Sequence, residues 1–164
     1  MEDRFWRVEK KNMKTDGTFT GPHQVKLEKW ISCAPFEKLL GLDIVEAKDG
    51  RAYLTMPFVY ELAQGQGMAH GGALVTLADT AVAMAVKSIL PPDSRFGTIS
   101  LNAEFLGPVT QGVLSARAAV TLLENGQVQG QALVSDEAGR QVMRFSAMFK
   151  LGREVKIATH RKGE

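Results

Sequence analysis

Between Gln64 and Ser88 the chain reads QGQGMAHGGALVTLADTAVAMAVKS, a glycine-rich approach followed by an apolar run of helical length with one carboxylate, Asp79, inside it. The run from Gly71 to Val86 spans 16 residues, short of the roughly 20 that a bilayer needs. Asp79 near its middle and the Gly71-Gly72 pair at its start argue further against a membrane span, so the run reads as a helix buried in protein. An acid there is costly unless it has a partner or a task, because desolvation penalises its charged form.

Downstream, Leu90-Pro91-Pro92-Asp93 stops the helix, since neither proline can continue the hydrogen-bond ladder. Four strand-like segments follow, over Gly97 to Leu106, Gly112 to Leu123, Gln127 to Ser135 and Arg140 to Leu151. Asn125-Gly126 and the Asp136 to Gly139 turn give an antiparallel meander as their connection. Upstream, Leu42 to Ala47 and Arg51 to Pro57 pair through Lys48-Asp49-Gly50, and Ala52, Leu54 and Met56 share one face. Phe58 to Met68 is a loop. Val25 to Leu40 has helix-like apolar spacing that Pro35 must kink, and Gly41 ends it. Residues 1–24 read as a mobile or loosely docked extension and residues 153–164 as a basic tail, leaving residues 25–152 as the folded domain.

The elements predict an α+β domain with a curved antiparallel sheet of about six strands wrapped around one long central helix. One sheet does not cover such a helix on all sides, and a dimer buries the remainder, in particular the face bearing Asp79.

Lys and Arg number 20 against 18 Asp and Glu, a net charge of +2 that gives no general drive toward nucleic acid or anionic membranes. The single cysteine, Cys33, forms no intramolecular disulfide and has no ligand-spaced neighbour, which suits a reducing cytoplasm and no metal site. The start, MEDRFWRVEKKNMK, lacks the apolar segment of a signal peptide.

Gln64, then His70-Gly71-Gly72, then Asp79 nine positions after the histidine, with Asn102, Phe105, Leu106 and Pro108 in the following strand, resemble the hotdog-fold acyl-CoA thioesterases of the phenylacetate-pathway (PaaI-like) type. The resemblance covers residues 35 to 150. It departs at Gln64, where many members have Asn, and at Ala83, where a related branch that acts on aromatic acyl-CoA esters has Thr. It implies hydrolysis of an acyl-CoA without cofactor or metal, by a homodimer with shared active sites that assembles further into a homotetramer. It also places Thr98 where members often have a Ser or Thr that helps to position water.

Thioester hydrolysis needs donors aimed at the oxygen that becomes negative and a group that attacks or activates water. The first turn of a helix offers unpaired N–H groups at the positive end of its dipole, and Gly71 and Gly72 leave them accessible. The Gly71 N–H is the first choice as oxyanion donor, with Gly72 as a substrate contact. His70 suits a positioning or capping role better than proton transfer. Gln64 is either a loop amide or a side-chain donor to the carbonyl or the water. Asp79 lies eight residues along the helix from Gly71, about 12 Å at 1.5 Å per residue. Reacting groups must approach to about 3 Å, so one chain's donors and acid cannot serve one carbonyl, and a two-fold dimer resolves the conflict. Burial should raise the Asp79 pKa, with Thr80 or Thr76 orienting it and Thr80 near the substrate. Nucleophile and general base both remain open for Asp79. Two other readings keep the fold: a hydratase or dehydratase using His70 with Asp79, and a non-catalytic acyl-CoA-binding protein. Arg95, Arg140, Arg144, Lys150 and Arg153 are candidate partners for the CoA phosphates, each equally readable as a solvated surface charge.

Overall fold

The computed structural model describes residues 20–155. Helix α1 (Pro35–Leu39) leads into strands β1 (Asp43–Lys48) and β2 (Arg51–Pro57), a long helix α2 (Gly71–Lys87), and strands β3 (Phe96–Phe105), β4 (Val113–Leu122), β5 (Gln127–Ser135) and β6 (Gln141–Leu151). All six strands form one antiparallel sheet in the order β1-β2-β4-β5-β6-β3. The β1–β2 turn uses positive φ at Asp49 (51°) and Gly50 (75°), the combination that matches the twist of a tight hairpin.

Helix α2 packs chiefly on β2, β4 and β5. Leu54, Met56, Leu114, Ala116, Val128, Val134 and Phe145 meet Leu77, Ala78, Ala81, Val82 and Ala85 in one core. At Gly130 of β5 the approach leaves no room for a side chain, and any Cβ would overlap Val82 Cγ1. A glycine in mid-strand therefore lets the helix press onto the sheet.

Strands β4, β5 and β6 form the expected meander, but β3 does not continue it. After Gly107-Pro108 the chain crosses the sheet, so β3 pairs only with β6 and lies at one edge. The helix expected over Val25 to Leu40 is corrected to α1 alone. Pro35 occupies its first turn, and the preceding Ala34 is extended (φ −80°, ψ 176°), because a residue before proline is pushed out of the helical region. The expectations for residues 1–24 and 153–164 fall mostly outside the described residues, which begin at 20 and end at 155.

Candidate active site

The loop before α2 is closed by backbone bonds Gln64 N–H to Met68 O and Gly67 N–H to Gln64 O, both 2.8 Å. The Gln64 side-chain oxygen accepts from the Gln66 N–H, which holds the side chain by its acceptor end and leaves its NH2 end to donate elsewhere. His70 is then anchored by its own N–H to Leu62 O at 2.8 Å.

His70 is the N-cap of α2. Its backbone is extended, and its Nδ1 accepts the Gly72 N–H at 2.9 Å. A neutral His70 therefore carries its proton on Nε2. The cap consumes the Gly72 donor. The Gly71 N–H has no acceptor among the described residues, which singles it out as the open donor of this helix end. The Phe105 ring lies against Gly71, so close that a Cβ there would meet its Cζ at 3.1 Å.

Two turns along, Asp79 Oδ1 accepts from Thr98 Oγ1 at 3.1 Å. Burial raises the Asp79 pKa above the ordinary carboxylate value, and the Thr98 hydroxyl partly offsets the rise by stabilising the ionised form. The orienting threonine is thus Thr98 of β3. Thr76 and Thr80, expected in that role, are placed otherwise: Thr76 Oγ1 donates to Gly72 O at 2.9 Å, and Thr80 is only 6% exposed, on the core side of the helix.

Thr98 reaches Asp79 because β3 changes parity. Thr98 pairs with Phe149 and Ser100 with the adjacent Met148, so Ile99 is an extra residue in a β-bulge. The apolar alternation Ile99, Leu101, Ala103, Phe105 alone would turn Thr98 to the outer face with Ser100 and Asn102. The bulge returns it to the inner face, a recurrent use of bulges beside functional sites.

Helix α2 and β3 run in opposite senses, with Gly71 beside Phe105 and Asp79 beside Thr98. Between these ends the inner face of β3 is uncovered, leaving Leu101 49% and Phe105 54% exposed. The site so arranged holds an orientable carboxylate at one end and an open backbone donor at the other. Among the arginines considered for phosphates, Arg140 is tied to Asp136 (3.0 Å) and Pro108 O (2.9 Å), and Arg144 to Glu104 (3.3 Å) on the outer sheet face.

Residues 66–143 match the family model described as the thioesterase superfamily, a span that includes His70, Gly71, Gly72, Asp79 and Thr98. The fold is the hotdog fold of its members. The chain is similar to a putative esterase of Halobacterium salinarum, 38% identical over 101 residues that cover 58% of this chain and 65% of that protein. The chain thus spans just under two thirds of the length of that curated relative. It is 43% identical to the acyl-coenzyme A thioesterase PaaI of Escherichia coli over 51 residues, 31% of this chain and 36% of that one. The solved structure of Escherichia coli PaaI superposes with a TM-score of 0.65 at 26% identity, covering 71% of this chain and 83% of that one. A conserved protein of Pseudomonas aeruginosa superposes at 0.70 and 25% identity, covering 73% and 95%.

Phe105, named in the sequence only as part of a strand motif, is the wall against the Gly71 donor. Its exposed side within a run of alternating apolar residues is the signal that would have marked it.

Proposed function

We propose that the protein is an acyl-CoA thioesterase acting as a homodimer, in which RCO–S–CoA and water yield RCOOH and HS–CoA. Each site combines Asp79 and Thr98 of one chain with the helix N-terminus of the other. The supporting observation is the opposite run of α2 and β3 beside an unpaired, partly apolar ten-residue edge strand. Such an edge is a template for pairing with a second copy. An antiparallel β3–β3 pairing centred on Asn102 keeps inner residues opposite inner ones and, with Ile99 as the extra residue, sets Thr98 opposite the partner's Phe105, and so sets Asp79 near the partner's Gly71. The distance conflict within one helix disappears.

In this reading the substrate carbonyl oxygen takes the Gly71 N–H, with Gln64 NH2 as a further donor. Asp79 either attacks the carbonyl carbon, giving an anhydride that water then hydrolyses to RCOOH and the free carboxylate, or, held by Thr98, takes a proton from the water that attacks the carbonyl carbon. The thiolate leaves and is protonated. The hydratase alternative is weaker, because it asks His70 to abstract a proton while Nδ1 is already the helix cap. A larger assembly has a candidate surface in an open groove of about 1230 Å³ on the outer sheet face, where Arg51, Arg117 and Arg144 sit among Glu46 and Glu104. Both signs of charge there suit a second dimer packed about a two-fold axis.

Subunit mixing tests the shared site. Asp79→Asn and Gly71→Pro each disable one half; proline suits the first helical position and removes the open N–H, while its ring must displace the Phe105 side chain of the same half-site. Each variant alone is expected to lose at least 100-fold in thiol release from a panel of acyl-CoAs, as for loss of an oxyanion donor. Mixed after unfolding and refolding, the two should regain about a quarter of wild-type activity, because half the dimers are hybrids with one intact site. No regain, with hybrid dimers demonstrated by mass, overturns the shared site. No turnover of any acyl-CoA by the wild type overturns the thioesterase.

A further inference from the structure

The segment before α1 has no role in the proposed chemistry, yet Trp30 on it joins the two elements that carry Asp79 and Thr98. Its indole Nε1–H donates to Lys87 O at the last turn of α2 (3.0 Å), and Lys87 Nζ donates back to Trp30 O (2.9 Å). The same ammonium stands 4.9 Å from the indole centroid, a second attraction to the ring. On its other side the indole meets Phe96, the first residue of β3, edge to face with centroids 6.3 Å apart, and Phe96 in turn packs on Phe149 at 6.0 Å.

Phe96 lies two residues before Thr98 and Phe149 is the pairing partner of Thr98. Helix α2 rests chiefly on β2, β4 and β5, so the spacing between α2 and the edge strand β3 depends on bridging side chains. The Thr98–Asp79 bond is one bridge. Phe105 against Gly71 is a second, and Trp30 is a third, at the opposite end of the helix from Gly71.

We infer that Trp30 is a positioning residue for the Asp79–Thr98 pair, clamping the C-terminal turn of α2 to the start of β3 so that the Thr98 hydroxyl stays within hydrogen-bond distance of the carboxylate. The clamp is anchored in a half-buried cluster rather than in solvent. Burial holds the Lys87 pKa below the ordinary lysine value, with Glu37 and Cys33 as its neighbouring titratable groups. Among the described residues of one chain, burial and the Thr98 hydroxyl are what shift the Asp79 carboxyl, so loss of that hydroxyl bond is read in its titration. The functional meaning of the clamp rests on the proposed role of Asp79, but its geometry does not.

The test reads the Asp79 carboxyl itself, as the ¹³Cγ resonance that disappears in Asp79→Asn, beside the pH profile of kcat/KM. Thr98→Val defines the full upward displacement of the titration. Trp30→Ala is expected to displace both titration and acid limb in the same direction, with no further displacement in the Trp30→Ala/Thr98→Val double variant. Trp30→Phe keeps a ring against Phe96 while removing the Nε1–H donor and part of the ring under Lys87, and it should move the titration the same way, which covers the case in which Trp30→Ala does not fold. A lowered melting temperature with the titration at its wild-type position overturns the inference, as do displacements that add in the double variant. Full turnover by Asp79→Asn would sink the catalytic reading alone, since the resonance still decides whether Trp30 positions the pair.

Discussion

Thr98 Oγ1 donates to Asp79 Oδ1 over 3.1 Å, and this bond joins the central helix to an edge strand whose inner face leaves Leu101 half exposed. Burial of Asp79 raises its pKa and the Thr98 hydroxyl lowers it. If the ionised form reacts, activity appears above the raised pKa and fails below it. Thr98→Val removes the lowering influence, so the acid limb of kcat/KM should move to higher pH. At neutral pH the rate should fall by about 10- to 100-fold, for a hydrogen bond to a charged group worth roughly 1.5–3 kcal/mol. An acid limb that stays in place would show that Thr98 does not support the ionised carboxylate.

The same shift makes a prediction about stability that needs no substrate. A carboxyl whose folded pKa exceeds its unfolded one binds its proton more tightly when folded, so ionising it opposes folding. Below the ordinary carboxylate pKa both states are protonated and there is no penalty. The penalty grows as pH rises toward the folded pKa and is complete above it. Asp79→Asn should therefore raise the melting temperature at pH 7, and the gain should vanish as pH falls below the ordinary carboxylate pKa. A gain that is constant with pH would assign it to packing.

His70 caps α2 by accepting the Gly72 N–H at 2.9 Å. His70→Ala should cost about 1 kcal/mol in urea unfolding, and His70→Asn, which offers a side-chain acceptor of similar reach, should recover most of it. If His70 served proton transfer alone, neither variant would change stability.

Gly130 is required by volume. A methyl group there overlaps Val82 Cγ1, so Gly130→Ala should destabilise by about 1–3 kcal/mol through overpacking. Val82→Ala vacates the contested space, and the double variant should be more stable than the sum of the two single losses predicts. Additive losses would mean that the helix simply moves away from the sheet.

What the sequence determined by itself is what depends on near neighbours. Periodicity and stop signals placed α2 to within a residue, the Asp-Gly and Asn-Gly turns placed the hairpins, and composition alone made Asp79 conspicuous, because an acid in an apolar helix violates the local pattern. The Gly71 donor was legible for the same reason, being a property of a helix end. Tertiary structure decided the rest. The crossing that puts β3 at an edge, and the extra residue at Ile99 that turns Thr98 toward Asp79, are matters of register between segments distant in sequence. Alternation within β3 would have turned Thr98 the other way. Trp30, spaced as if for a helix, instead joins α2 to β3, since Pro35 forbids the helix that its neighbours suggest. Local preferences choose elements; the partner of each side chain is chosen by which elements pack together, and for this site that choice is made across a helix, an edge strand and the segment that clamps them.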